Sequence, residues 1–343
     1  MEENRRTDFT GLYKDQQILI RDINGNSRSI KMKELANILK PEKHCKENPD
    51  WIYDDVFGYE VYEDGKWVPV KKIYVKPYHN LIYKVTSNKN RTLFIAEKQE
   101  IKTKVRNYKQ DYNKPADELQ VGDLLYSAYE NITIKKNDEY KLGQLIGIIE
   151  ANKYIKNNKI YVIIENIYEN VINFIKSNKM LKKCIFNDNN PDTLEIDITD
   201  QYEELKKYLP YDKKENLALE YLFGFMDGVF STKNNYHTAY CFKTTNQDIV
   251  DVIKFAMRSV GEQTEEEIVE SDNNKLRIFV KRKYYNLFDL SNTVTMRPNH
   301  PIRKDKIKYI QMFENDDEYI YDIETESGYF STSGYVIHNY KEE

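Results

Sequence analysis

The chain has 343 residues, 40% apolar and 31% charged, which is long enough for two buried cores and ordinary for a globular protein. No apolar run approaches the ~18 residues of a membrane-spanning helix, and the start, MEENRRTDFTG, lacks the apolar centre of a secretory signal, so an intracellular protein, cytoplasmic or nuclear, is expected. A formal charge of -4 and a pI near 5.9 argue against a chain devoted to gripping phosphates, and three cysteines far apart without C-x-x-C spacing exclude a disulfide framework or a zinc site.

Residues 11–130 read as short strands and turns. QQILIRDINGNSRSIKMKEL has an apolar run at Ile18, Leu19 and Ile20, a turn at Asn24-Gly25-Asn26, and then Ile30 and Met32 alternating with polar residues, the pattern of a hairpin. Strands follow in KWVPVKKIYVKPY, NLIYKVTSNKNRTLFIAEKQEIKT and GDLLYSAYENITI. The texture changes near residue 138. DEYKLGQLIGIIEANKY packs apolar residues around Gly143 and Gly147, as a helix that admits a second helix closely would. A strand, KIYVIIE, and an amphipathic helix, NIYENVINFIKSNKM, come next. ENLALEYLFGFMDGVFS, with Gly224 and Gly228, repeats the pattern and is followed by the strand YHTAYCFKTT and the helix NQDIVDVIKFAMRSVG. Helix, strand, helix thus recurs about 75 residues on, a pseudo-twofold repeat. From about residue 303 the β texture returns and ends in YDIETESGYFSTSGYVIHNYKEE. A helical duplicated insert in a β domain is the economical organisation.

In this order the stretches resemble an intein-type splicing domain carrying a LAGLIDADG homing endonuclease. YKDQQILIRDINGNSRSIKMKEL resembles the N-terminal splicing block, YKVTSNKNRTLFIAEKQEIKT with DELQVGDLL the second, and YDIETESGYFSTSGYVIHN the last; LIGIIEANK and LFGFMDGVF resemble the paired endonuclease motifs. The implied fold is α+β: an all-β Hint (horseshoe) domain, residues 11–130 and 303–339, interrupted at 131–302 by a pseudo-twofold αββαββ LAGLIDADG domain, with tails at 1–10 and 340–343. The ten residues before Gly11 and the four after Asn339 leave almost nothing to join, so a free-standing protein is expected. Pairing of the two motif helices within one chain implies a monomer.

The resemblance also names reactive positions. The first residue of the splicing domain, which needs Cys or Ser as nucleophile, falls on Gly11. Thr10 is the nearest hydroxyl, one residue out of register. The second-block histidine position is Gln99, and the downstream nucleophile position is Tyr340. His338-Asn339 retains the pair at which the asparagine amide attacks the following carbonyl with histidine assistance. In the endonuclease motifs the penultimate, metal-binding acid falls on Asn152 and Val229, neither of which is acidic, so no cofactor is expected. Glu150 and Asp227, two positions earlier, are the remaining acids, and Mg²⁺ would be their ion if the nuclease were active. Two places along a helix differ by roughly 200 degrees in direction, which sets these acids apart from the metal-binding positions.

Double-stranded DNA is the partner that the resemblance implies. The insert holds about 24 Lys and Arg against about 25 Asp and Glu, with GEQTEEEIVESD acidic and NKYIKNNK and KLRIFVKRKYY basic and aromatic. Three readings follow: an endonuclease-like protein deficient in splicing and cleavage that retains the scaffold and its DNA binding; an active site-specific endonuclease using Glu150 and Asp227; and a self-processing domain limited to cleavage after Asn339.

Overall fold

A computed structural model describes residues 10–46, 48–104, 111–126, 133–165, 169–190, 193–231, 239–260, 264–269, 275–281, 293–295 and 305–339. The chain divides into two compact units: Met1–Ile132 with Arg258–Gln263 and Pro298–Glu343, and Thr133–Met257 with Thr264–Arg297.

The first unit is built of antiparallel strands. Gln17–Arg21 and Ser27–Lys31 form a hairpin whose turn is fixed by Asp22, which accepts from the backbone N–H of Asn24 and of Asn26, both at 2.9 Å, while Gly25 takes a φ of 79°. The expected alternation stops one residue short of Met32, because MKELANIL puts Met32, Leu35 and Ala36 on one face and becomes helix α1, Met32–Leu39, ended by Lys40 in the left-handed region. The twelve-residue strand Lys66–Pro77 is the spine, pairing with Ile52–Asp55, Glu60–Glu63 and Tyr319–Thr325. Leu81–Ser87 pairs with Thr92–Ala96 and with Asp305–Glu314, so segments from either side of the second unit share one sheet. The last hairpin, Tyr329–Thr332 with Tyr335–His338, turns through Ser333 and Gly334 at φ of 48° and 87°, the two positive values that a two-residue hairpin requires. Its final strand meets Glu100–Lys104 through Ile337 and Ile101. Leu12, Ile18, Ile95, Ile101, Ile323, Phe330 and Ile337 belong to the one apolar core beneath these strands.

The second unit is organised on helices α2, Asp138–Asn152, and α5, Leu219–Ser231. Asn137 caps α2 by accepting from Tyr140 N–H at 3.0 Å. Every residue of α5 is buried, most of them apolar, with Glu220, Asp227 and Ser231 among them. After α2 come strands Lys153–Lys156 and Lys159–Glu165, helix α3 at Glu169–Ser177, strands Ile185–Asn190 and Thr193–Asp197, and the short helix α4 at Tyr202–Lys206. These four strands make one sheet. After α5 come strand Ala239–Thr244, helix α6 at Gln247–Ser259, and strands Glu265–Val269 and Lys275–Lys281, which form a second sheet. The first repeat therefore carries a trailing helix beyond the expected αββαββ, and residues 232–238, where a further strand of the second repeat would fall, lie outside the described residues. No helix among the described residues is long and apolar enough to cross a membrane.

Candidate functional site

The strand Tyr319–Thr325 holds both ends of the first unit. On one side Leu12 bonds to it through a backbone pair with Tyr321, at 2.7 and 3.0 Å. On the other, Asn339 Nδ2 donates to the Ile323 carbonyl and, at 3.3 Å, to Thr325 Oγ1. Asn339 is 1% exposed, its backbone N–H donates to Gly328 at 2.9 Å, and its Oδ1 is buried with no hydrogen-bond partner among the described residues. Its amide nitrogen is therefore oriented by two acceptors.

Gln99 is fully buried, and its Nε2 donates to the carbonyl of His338 and to that of Glu100. Gly11 joins the same neighbourhood through Ala96, whose N–H donates to the Gly11 carbonyl at 2.9 Å and whose carbonyl accepts from Gln99 N–H at 3.1 Å. Gly11, Gln99, His338 and Asn339 are thus linked by an unbroken set of hydrogen bonds and peptide bonds. Tyr340 lies outside the described residues. At Gly11 the φ is +152°, and a Cβ would sit 2.9 Å from Ile320 Cδ1, the end of a side chain, and 3.1 Å from the Tyr321 carbonyl, so a side chain at this position is strained.

Sequence reasoning missed two features here. His338 Nδ1 lies 3.2 Å from Glu100 Oε2, with the imidazole tilted against Tyr329 at 4.9 Å between centroids. The hydrogen bond from His338 holds the Glu100 carboxyl below the usual range, against the opposing effect of burial. The signal was present as a polar residue beside Gln99 on an alternating strand, facing the opposite way. The second is a buried ion pair, Lys76 and Asp322, on the paired strands Lys66–Pro77 and Tyr319–Thr325.

In the second unit the glycines fix how α2 and α5 meet. A Cβ on Gly143 would lie 2.0 Å from the Tyr221 carbonyl and one on Gly224 2.0 Å from that of Tyr140; on Gly147, 2.1 Å from Phe225, and on Gly228, 2.1 Å from Gln144. The contacts are reciprocal only when Gly143 is matched with Gly224 and Gly147 with Gly228. The motif alignment from sequence, which matches Gly147 with Gly224, is one helical turn out, because two glycines four residues apart in each helix allow either choice. In the corrected register the counterpart of Val229 is Ile148, not Asn152. Ile148 is 1% exposed and Val229 0%. Asn152 instead returns its Nδ2 to the Ile148 carbonyl at 2.7 Å, completing the last turn of its own helix.

Glu150 and Asp227 are not counterparts in this register. Asp227, fully buried, accepts at one oxygen from Tyr140 Oη at 2.7 Å and from Gln144 Nε2 at 3.0 Å. Glu150 accepts from Lys153 Nζ at 2.9 Å at both oxygens, from Tyr211 Oη at 2.6 Å and from Tyr202 Oη at 3.3 Å. Burial disfavours the Lys153 ammonium, yet its bonds to Glu150 and Tyr202 outweigh that and raise its pKa. Burial and the Glu150 carboxylate push Tyr211 far up. These partners of the two acids are separate sets, and no cluster of three or more His, Cys, Asp or Glu fit for a metal occurs among the described residues. The basic NKYIKNNK segment is a hairpin turned through Asn157 and Asn158, and its Lys159 pairs with Asp197 at 3.2 Å. The side chains of GEQTEEEIVESD and KLRIFVKRKYY lie largely outside the described residues.

No family model matches the chain, and no curated protein does. Among solved structures it is similar to the transcription factor IIB Mvu mini-intein, over 96% of this chain and 99% of that one, at 11% identity and a TM-score of 0.39. It is likewise similar to the Pab PolII intein, with the same coverages, 10% identity and a TM-score of 0.40. I-DmoI in complex with DNA and Mn covers 42% of this chain and 90% of its own, at 12% identity and a TM-score of 0.34. Likeness at this level carries no activity across.

Proposed function

We propose that this chain is an intein-type splicing scaffold with a LAGLIDADG-type insert, deficient both in splicing and in DNA cleavage. The observation that carries the reading is the state of the two positions where the resemblance requires metal-binding acids: Asn152 returns its side-chain amide to the Ile148 carbonyl, and Val229 is a fully buried aliphatic side chain. The remaining acids support the same reading, because Glu150 is held by Lys153 and two tyrosines, and Asp227 by Tyr140 and Gln144. Splicing deficiency is supported by Gly11, which offers no nucleophile, and by Gln99, which cannot relay a proton. DNA binding by the insert's sheets is a separate matter that a salt-dependent binding measurement decides, since phosphate contacts give a steep salt slope.

A second reading is favoured by the geometry of Asn339. Its amide nitrogen is oriented, the His338 carbonyl is fixed by Gln99, and the imidazole is fixed by Glu100. Attack of Asn339 Nδ2 on its own backbone carbonyl carbon would form a cyclic imide and release the amine of Tyr340, a step that needs no upstream nucleophile.

The test combines two measurements. Duplex DNA carrying the sequence at which the gene is inserted is incubated with the protein and Mg²⁺ or Mn²⁺, and no linear product is expected; products abolished by a chelator overturn the reading. Intact mass after long incubation is expected to show the whole chain or the loss of the last four residues alone. A product cut at Thr10 refutes the account of Gly11.

A further inference from the structure

The first unit contains a buried charge that the reactions above do not use. Lys76 and Asp322 have side chains 0% and 1% exposed, with Nζ 2.8 Å from Oδ2. A buried ion pair is weak evidence of stabilisation, because removing both charges from water offsets their attraction. The second partner of the ammonium is the more informative one: Nζ donates to the Thr10 carbonyl oxygen at 3.1 Å and to Thr10 Oγ1 at 3.3 Å. The rings of Trp51 and Tyr74, with centroids 4.4 and 5.7 Å away, flank the cation and keep water from it. A fixed cation in a water-poor site stabilises charge on a neighbouring oxygen far more than it would in water.

That oxygen belongs to the peptide bond between Thr10 and Gly11. We infer that Lys76 is the electrophilic catalyst for this bond: it binds the carbonyl oxygen and stabilises the negative charge that develops there when a nucleophile adds to the carbonyl carbon. Gln99, at the position where the resemblance places the activating histidine, directs its amide at His338 and Glu100 instead. The electrophilic half of an upstream reaction is assembled, and the nucleophile is what the chain lacks. The inference rests on the splicing-scaffold reading above.

Restoring a nucleophile exposes it. A Gly11→Cys change places a Cβ against Ile320 Cδ1, so Ile320→Val accompanies it. The introduced sulfur adds to the Thr10 carbonyl carbon, and the oxygen takes the charge against Lys76. Collapse forms the thioester and breaks the C–N bond, and the backbone nitrogen of position 11 leaves as an amine with the proton given up by the thiol. An added small thiol then takes the acyl group and frees the introduced thiol, with no oxidant or reductant consumed.

Three full-length proteins are compared by intact mass in excess 2-mercaptoethanesulfonate, each first checked for cooperative unfolding: Gly11→Cys/Ile320→Val; the same with Asp322→Asn; and the same with Lys76→Met and Asp322→Asn together. The last change removes both charges, so neither is left buried alone. The first protein is expected to release residues 1–10 as a thioester, the second to do so within about tenfold of that rate, and the third at least a hundredfold more slowly. A folded first protein that releases nothing, or a third as fast as the second, overturns the role of Lys76. The unaltered chain run alongside tests the splicing-deficient reading by itself: release of residues 1–10 from it sinks that reading whatever the variants do.

Discussion

The end of the first unit and the helix pair of the second differ in how their polar side chains are held. Around Asn339 polar side chains are bonded to the backbone: Gln99 to His338, Asn339 to Ile323, Lys76 to Thr10. Between α2 and α5 the positions that the resemblance names are Asn152, turned back onto the Ile148 carbonyl, and Val229, aliphatic and packed. In the β unit each of these side chains also satisfies a carbonyl that would otherwise be buried without a partner, so its loss costs fold stability as well as chemistry. An acid at the end of a buried helix pair has the opposite balance. It costs desolvation and repulsion and contributes no packing, so an aliphatic replacement stabilises the fold.

The largest effect should come from placing an acid inside the helix pair. Ile148→Asp removes a buried aliphatic side chain and inserts a carboxylate, and is expected to cost about 4 kcal/mol or more, read as a collapse of the second unit's transition in chemical denaturation. Asn152→Asp, one turn on at the end of the helix, loses the donor to the Ile148 carbonyl and turns a carboxylate toward it, and should cost less, about 2 kcal/mol. Equal costs would break the register on which the contrast depends.

Next in size is Gly147→Val. Its Cβ would fall 2.1 Å from the Phe225 carbonyl, and backbone on both helices must separate to admit it. Overpacking of this kind costs about 3 kcal/mol or more, and the loss should appear in the second unit's unfolding and leave the first unit's amide protection in place. A single transition weakened throughout would show that the two units do not unfold separately.

Much of this is legible in the amino-acid sequence. The hairpin at Asn24-Gly25-Asn26, the strand KIYVIIE and the two glycine-bearing helices follow from turn chemistry and period alone, and each is present at or near the expected residues. What pattern does not carry is long-range pairing. That Asp322 faces Lys76, or Glu100 faces His338, depends on strands brought together from opposite ends of the sequence. The helix register failed for a related reason. GxxxG repeats every turn, and only the contact of one backbone with the other selects which pair of glycines is equivalent.

Asn339→Ala tests whether the polar wiring of the first unit serves the fold. It leaves the Ile323 carbonyl without its donor inside the core, for a cost of about 1–2 kcal/mol in the first unit's unfolding. It should also abolish any loss of the last four residues on long incubation. Persistent truncation in the variant would assign the cut to a contaminating protease. No change in stability would mean that the buried asparagine is retained for its chemistry alone.

The smallest expected effect is the most specific to the chemistry at His338. The Glu100 carboxyl is held below its ordinary value of 4.5 by the hydrogen bond from His338. A depressed folded value means that the unfolded chain binds the proton more readily, so the contribution to stability is fully present above about pH 4.5 and is lost as the pH falls through the lower folded value. Both side chains are more than a third exposed, and solvent screening keeps the contribution below about 1 kcal/mol. Glu100→Gln should therefore be slightly less stable than the unaltered protein near neutrality, and the two denaturation curves should converge as the pH is lowered past the carboxylate range. Any release of the last four residues should slow in the same variant, because the imidazole loses the group that orients it. A stability difference that persists unchanged into acid would assign Glu100 a packing role only, and the likeness between the first unit's wiring and a working site would then stop at Asn339.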